Sequence, residues 1–262
     1  MRESLFLRKL RDHKMKSTTY LNTFALLALA AVASQSAHAA IALDRTRVIY
    51  DASNKSETLR ISNQNKNLPY LAQAWIEDAQ GHKVESPITA LPPLQRLEPG
   101  AKSQVKLQMT GGTPLAQDKE TLFYFNVREI PPKSSKPNTL QIALQTRVKM
   151  FYRPAALSIN SQQLNEPQKQ LTLTREGDGY RLNNPTGYYV TIVEAAAAEK
   201  SGSVAGFKPD MVAPKASVML KGSARTLGSH PVLTFINDYG GRPKLVFNCA
   251  GSSCTVERII EG

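Results

Sequence analysis

The chain has 262 residues, is 41% hydrophobic and 21% charged, and bears a formal net charge of +12. Its basic residues are scattered rather than blocked, so the charge reads as solvated surface or as steering toward an acidic partner, and no nucleic-acid partner is expected. No segment after the first 39 residues approaches the length of a transmembrane helix, so no stable membrane insertion is expected either.

The first 39 residues form no part of the expected fold. An apolar run, Phe24 to Ala33, follows a basic segment and precedes Ala37-His-Ala39, the small-x-small pattern of a signal-peptidase site. Cleavage is expected between Ala39 and Ala40, leaving 223 residues with a net charge of +8. Met15 is the expected initiator, because the segment before it is long for the basic region of a signal peptide. The remaining length suits two sandwich domains of about 100 residues each.

From there the chain is strand-like. Strands are predicted at 43–50, 57–63, 70–77, 104–109, 120–130 and 139–152, separated by turn-forming segments such as Asn63-Gln-Asn-Lys-Asn67 and Glu98-Pro-Gly100. Pro92-Pro93 is a candidate cis bond. Trp75, Tyr124 and Phe125 are expected in the core. The segment from Thr139 alternates cleanly, with Leu140, Ile142 and Leu144 on one face and Gln141, Ala143 and Gln145 on the other. Such a strand fills its own core or someone else's. Strict alternation puts Lys149 on the face opposite Leu140, unless a bulge or bend re-aims it.

Weaker strand patterns follow at 170–175, 180–183, 188–195, 217–221, 231–237 and 244–257, and the alanine-rich stretch 194–206 is read as a loop. Arg153-Pro-Ala-Ala156 marks the boundary, which gives domains of 40–157 and 158–262. Cys249 and Cys254, with four residues between them, suit a structural disulfide across a hairpin in an exported chain. Two thiols without neighbouring histidines make no metal site. Catalytic patterns are lacking: His82 and His230 stand alone, and there is no phosphate loop, Gly-x-Ser-x-Gly or His-Glu-x-x-His. No enzymatic activity, catalytic residue, metal or other cofactor is expected.

Several blocks resemble the periplasmic pilus chaperone family: Leu115 to Pro131, with Leu43-Asp-Arg-Thr-Arg47, Leu68 to Ile76, Pro92 to Gly100, Met150 to Ala155 and Asn237-Asp-Tyr-Gly-Gly241. The resemblance spans nearly all of the chain after residue 40. It implies an all-β protein of two immunoglobulin-like β-sandwich domains set at an angle around a cleft. It further implies that Leu140, Ile142 and Leu144 belong to a strand lent to pilus subunits, the adhesin included, by donor-strand complementation, a form of β-augmentation. Arg47 and Lys149 would hold the subunit's C-terminal carboxylate, and Glu120, Arg153 and Asp238 would link the two domains. The short loop Pro132 to Asn138 matches chaperones of rod-like pili. The implied setting is the periplasm, with delivery to an outer-membrane usher. The competing reading is a secreted carbohydrate-binding or adhesive sandwich, which would need a platform of exposed aromatic residues; the chain has one Trp.

Overall fold

The computed structural model describes residues 39–112 and 114–262; the leader expected over residues 1–39, except Ala39, and the initiator Met15 lie outside them. The first ten strands form two sheets. β1 (Ile41–Leu43), β3 (Ser56–Asn63), β8 (Lys102–Met109) and β6 (Ile88–Leu91) pair in that order. β2 (Arg47–Asp51), β10 (Gln145–Arg153), β9 (Thr121–Ile130), β4 (Tyr70–Glu77) and β5 (Lys83–Val84) make the second, with β7 (Leu94–Leu97) also on β4.

Alternation builds the core between them. Leu59 and Ile61 of β3 and Val105 and Leu107 of β8 meet Ala72, Ala74 and Ile76 of β4, Phe123, Phe125 and Val127 of β9, and Met150 and Tyr152 of β10. One polar group enters this core fully satisfied: the buried Asn63 amide donates to the carbonyls of Leu68, Leu97 and Glu98. The expected strand over 43–50 is split, because Asp44 to Thr46 turn the chain from the first sheet into the second. The cis bonds precede Pro87 and Pro92, so the Pro92–Pro93 bond is not one of them.

The last eight strands form one continuous ladder in the order β14 (Asp210–Val212), β13 (Val190–Ala196), β16 (Val232–Phe235), β17 (Lys244–Ala250), β18 (Ser253–Ile260), β11 (Thr172–Glu176), β12 (Gly179–Asn184) and β15 (Ala216–Met219). A register shift between Val246 and Phe247 bends the β17–β18 ladder. The sheet folds over on itself, so Val190, Ile192, Leu233 and Phe235 from one end share a core with Leu173, Tyr180 and Leu182 from the other. β13 runs to Ala196, so the expected loop starts three residues later than Glu194. A single turn of helix, α1 (Ala224–Leu227), is capped by the Ser223 hydroxyl, which accepts from Arg225 N. Cys249 and Cys254 face each other across the β17–β18 hairpin and are disulfide bonded. Among the described residues, no helix is long and apolar enough to cross a membrane.

Candidate functional site

β10 organises the site because its two faces do different things. Its pairing with β9 is unbroken from Gln145↔Arg128 to Tyr152↔Thr121, without a bulge. Strict alternation therefore holds along the strand. Val148, Met150 and Tyr152 point into the sandwich core, and Arg147, Lys149, Phe151 and Arg153 line the opposite face. Lys149 lies opposite in parity to Leu140 by plain alternation.

Before Gln145 the ladder stops. The predicted strand from Thr139 is not paired over 139–144; β10 begins at Gln145. The reason is the end of its neighbour: β9 finishes at Ile130, and the last link is Glu129 N–H donating to the Leu144 carbonyl at 3.0 Å. Leu140, Ile142 and Leu144 are accordingly 84%, 64% and 42% exposed. They share the parity of the core-facing Met150 and Tyr152 but lie past the end of the core. On the other side, β2 runs parallel to β10 only from Lys149↔Arg47 to Arg153↔Asp51. From Val148 back to Gln145, no described strand pairs with that backbone edge of β10.

Arg47 and Lys149 are thus direct cross-strand neighbours at the point where the open edge ends. The Arg47 guanidinium is buried; Nη1 donates to the Ile236 carbonyl at 2.9 Å, and its carbon stands 6.0 Å from the centroid of the Phe151 ring. Its Nε has no hydrogen-bond partner among the described residues. Burial pushes the Arg47 pKa down, while Asp238 and Glu120 pull it back. Lys149 is also lowered, by burial and then by repulsion from Arg47, with Asp210 acting in the opposite sense. Among the described residues no carboxylate lies within ion-pair distance of either cation. Two partly dehydrated like charges stand side by side here, an arrangement whose repulsion and desolvation a carboxylate would relieve.

One step along the same face, Arg153 joins the two halves of the protein. Its Nε donates to Glu120 Oε1 at 2.8 Å, and Nη1 and Nη2 grip the Asp238 carboxylate at 2.7 and 3.1 Å. The second Glu120 oxygen accepts from Tyr189 N at 2.7 Å. The three sequence-predicted charges therefore do come together. Burial works against the Arg153 charge, but Asp238 and Glu120 more than offset it and raise its pKa. Burial pushes the Glu120 carboxyl up, against the pull of Arg153 and the Tyr189 amide. The cluster is one of charge-assisted bonds whose groups are almost all taken up by one another.

Four contributors escaped sequence reasoning. The Phe151 ring packs on Tyr189, 5.4 Å between centroids, and Ile236 and Asp210 address the two cations from the second half. Phe151 was legible from its parity with Lys149 and Arg153. Tyr189, Asp210 and Ile236 meet the site only through tertiary packing. Two expectations are corrected: Trp75 and Tyr124 are not core residues. Both are half-buried on the outer face, because Ala74, Ile76, Phe123 and Phe125 occupy the inward positions on either side. Arg128 covers Trp75 with 5.6 Å to the ring centroid, and Arg147 lies 3.4 Å from that of Tyr124. Phe125 is fully buried, as expected.

Comparison with known proteins agrees with this architecture. Residues 40–158 match the model of the pili and flagellar-assembly chaperone PapD N-terminal domain, and 166–247 that of the pili assembly chaperone PapD C-terminal domain. The chain is 51% identical over 224 residues to the chaperone protein PapD of Escherichia coli, covering 85% of this chain and 92% of PapD. The periplasmic chaperone SfaE superposes with a TM-score of 0.63 at 31% identity, covering 79% of this chain and 98% of SfaE. A structure of the Salmonella enterica SafA pilin in complex with the SafB chaperone gives 0.65 at 27% identity, covering 79% and 95%. The chain belongs to the PapD-type family of pilus-assembly chaperones, with two β-sandwich domains.

Proposed function

We propose that this chaperone works in the periplasm, with domains of 40–157 and 158–262, and captures pilus subunits, the adhesin included, by lending them the segment Leu140–Leu144 before passing them to an outer-membrane usher. One observation supports this above all. An open backbone edge on β10, a row of exposed aliphatic side chains two residues apart in the segment leading into it, and the neighbouring cations Lys149 and Arg47, which have no carboxylate partner among the described residues, are contiguous. A subunit strand added to the edge gains ladder hydrogen bonds, and Leu140, Ile142 and Leu144 enter successive pockets in its incomplete sandwich. Where β2 begins to cover β10, the added strand must end. Its terminal carboxylate then falls beside Arg47 and Lys149.

Energies divide the work. Three aliphatic side chains stabilise the complex by roughly 5–9 kcal/mol at most. A charge-assisted hydrogen bond contributes about 1.5–3 kcal/mol. The apolar row supplies most of the affinity, and the carboxylate clamp sets the register. The subunit's own folding on the donated strand drives the process without a nucleotide.

The test is periplasmic co-purification with a pilus subunit from the same source, using wild type, Arg47→Ala and Lys149→Ala after confirming that all three are folded. Capture by wild type and loss in both variants is expected. Equal capture by all three would remove the anchor from the mechanism.

A further inference from the structure

Glu129 is a buried carboxylate that subunit capture does not use. It is 5% exposed, and among the described residues no Lys, Arg or His lies within ion-pair distance of it. Oε2 accepts a single backbone donor, Ile41 N–H, at 3.0 Å. One amide fills only one of the several acceptor positions that a carboxylate offers. The residue before that donor is Ala40, itself buried and held by its carbonyl, which accepts from Gln64 N at 2.6 Å. Its nitrogen is joined to that of Ile41 through three bonds and so lies within about 4 Å of it.

We propose that Glu129 is a preformed receptor for the α-ammonium group created when the leader is removed. This rests on the expected cleavage between Ala39 and Ala40. Hydrolysis by a signal peptidase adds one water across that peptide bond, leaving a carboxylate on Ala39 and an ammonium on Ala40. An α-amino group of ordinary pKa, about 7.7–8.0, is charged at neutral pH. The pairing places a cation on the carboxylate only in the processed protein. It also reaches the donor segment, because the Glu129 backbone N–H is the donor that holds the Leu144 carbonyl at 3.0 Å. Processing therefore fastens the base of the segment that is lent to subunits, and the precursor lacks that fastening.

The experiment uses the exported protein. Intact mass first establishes where the chain begins. The α-amine is then acetylated selectively at mildly acidic pH, where lysines are protonated, in wild type and in Glu129→Gln, which keeps an acceptor for Ile41 N–H. Melting temperature and hydrogen exchange of the residue-129 amide are followed. Acetylation is expected to lower the melting temperature of wild type by roughly 2–8 °C and the protection of that amide about tenfold, and to add little in Glu129→Gln. A chain beginning anywhere but Ala40, no response of wild type to acetylation, or equal responses in both proteins would overturn the pairing. Subunit capture by the acetylated protein is scored separately, so failure of the pairing and failure of the chaperone mechanism are distinguishable.

Discussion

Replacing Ile142 separates donation from self-packing. The side chain is 64% exposed, so about two-thirds of its burial remains to be gained in a complex. With full burial of an isoleucine at roughly 1.5–3 kcal/mol, Ile142→Ala should weaken capture by roughly 1–2 kcal/mol, about 5- to 30-fold in Kd. Ile142→Asp adds the desolvation of a carboxylate, several kcal/mol, and takes the loss past about a thousandfold. The free fold should barely notice, since substitutions at exposed sites stay within about 0.5 kcal/mol. Ala143→Asp serves as the control, because its parity is that of Lys149 rather than of the apolar row; it should leave capture close to wild type. The assay is titration of each variant with a depleted subunit, alongside thermal unfolding of the chaperone alone. If Ile142→Asp unfolds the protein, or if Ala143→Asp is as damaging as Ile142→Asp, the alternating-pocket account is wrong.

Lys149 predicts opposite pH trends for folding and capture. Its pKa lies below the ordinary lysine value of 10.5, so between the two values the unfolded chain binds more protons and stability from this group rises with pH. Over the same window Lys149 loses its charge, so capture should weaken, and Lys149→Met should remove both trends in parallel titrations of unfolding and binding. Arg153→Met leaves Glu120 buried without a cation, held only by the Tyr189 amide, and should cost about 3–5 kcal/mol; denaturant unfolding of the two domains measures it, and an unchanged midpoint would show the cluster to be ornamental. Changing Cys249 and Cys254 together to Ser opens a small loop and should cost roughly 2 kcal/mol, seen as a lower melting temperature that wild type reproduces under reducing conditions.

Legibility followed the range of the interaction. The strands expected at 57–63 and 70–77 were readable because period-two alternation is local, and the Cys249–Cys254 bridge because a tight hairpin brings its own partners together. The short strands β5, β6 and β7 left no pattern long enough to detect. Trp75 and Tyr124 misled because aromatic residues in a strand look like core, whereas position in the alternation decides: Ala74 and Phe125, one residue along, take the inward sites. The start of β10 was misplaced for a different reason. Alternation from Thr139 shows what the segment is suited to pair with, but pairing also needs a partner, and β9 ends at Ile130. The charge cluster and the two cations were identifiable only through family resemblance, since nothing local joins residues 120, 153 and 238.

The gap between pattern and pairing at residues 139–144 is what the proposed mechanism turns on. A sequence that alternates like a buried strand yet lacks a neighbour is an aggregation hazard unless a partner is specified. Here β10 supplies the specification. Lys149 lies five residues beyond Leu144 and nine beyond Leu140, so along an extended strand the carboxylate clamp stands about 16 Å from the nearest donated side chain and about 30 Å from the farthest. Because β10 is unbroken from Gln145 to Arg153, those offsets are rigid at the clamp end. A subunit seated one residue out of register would present the wrong face along the whole row. Moving the apolar row by one position at these exposed sites, with Leu140→Gln, Gln141→Leu, Ile142→Ala and Ala143→Ile together, should therefore sharply weaken capture even though the number of apolar side chains and of charges is unchanged. Capture surviving that exchange would show that charge alone, and not register, selects the partner.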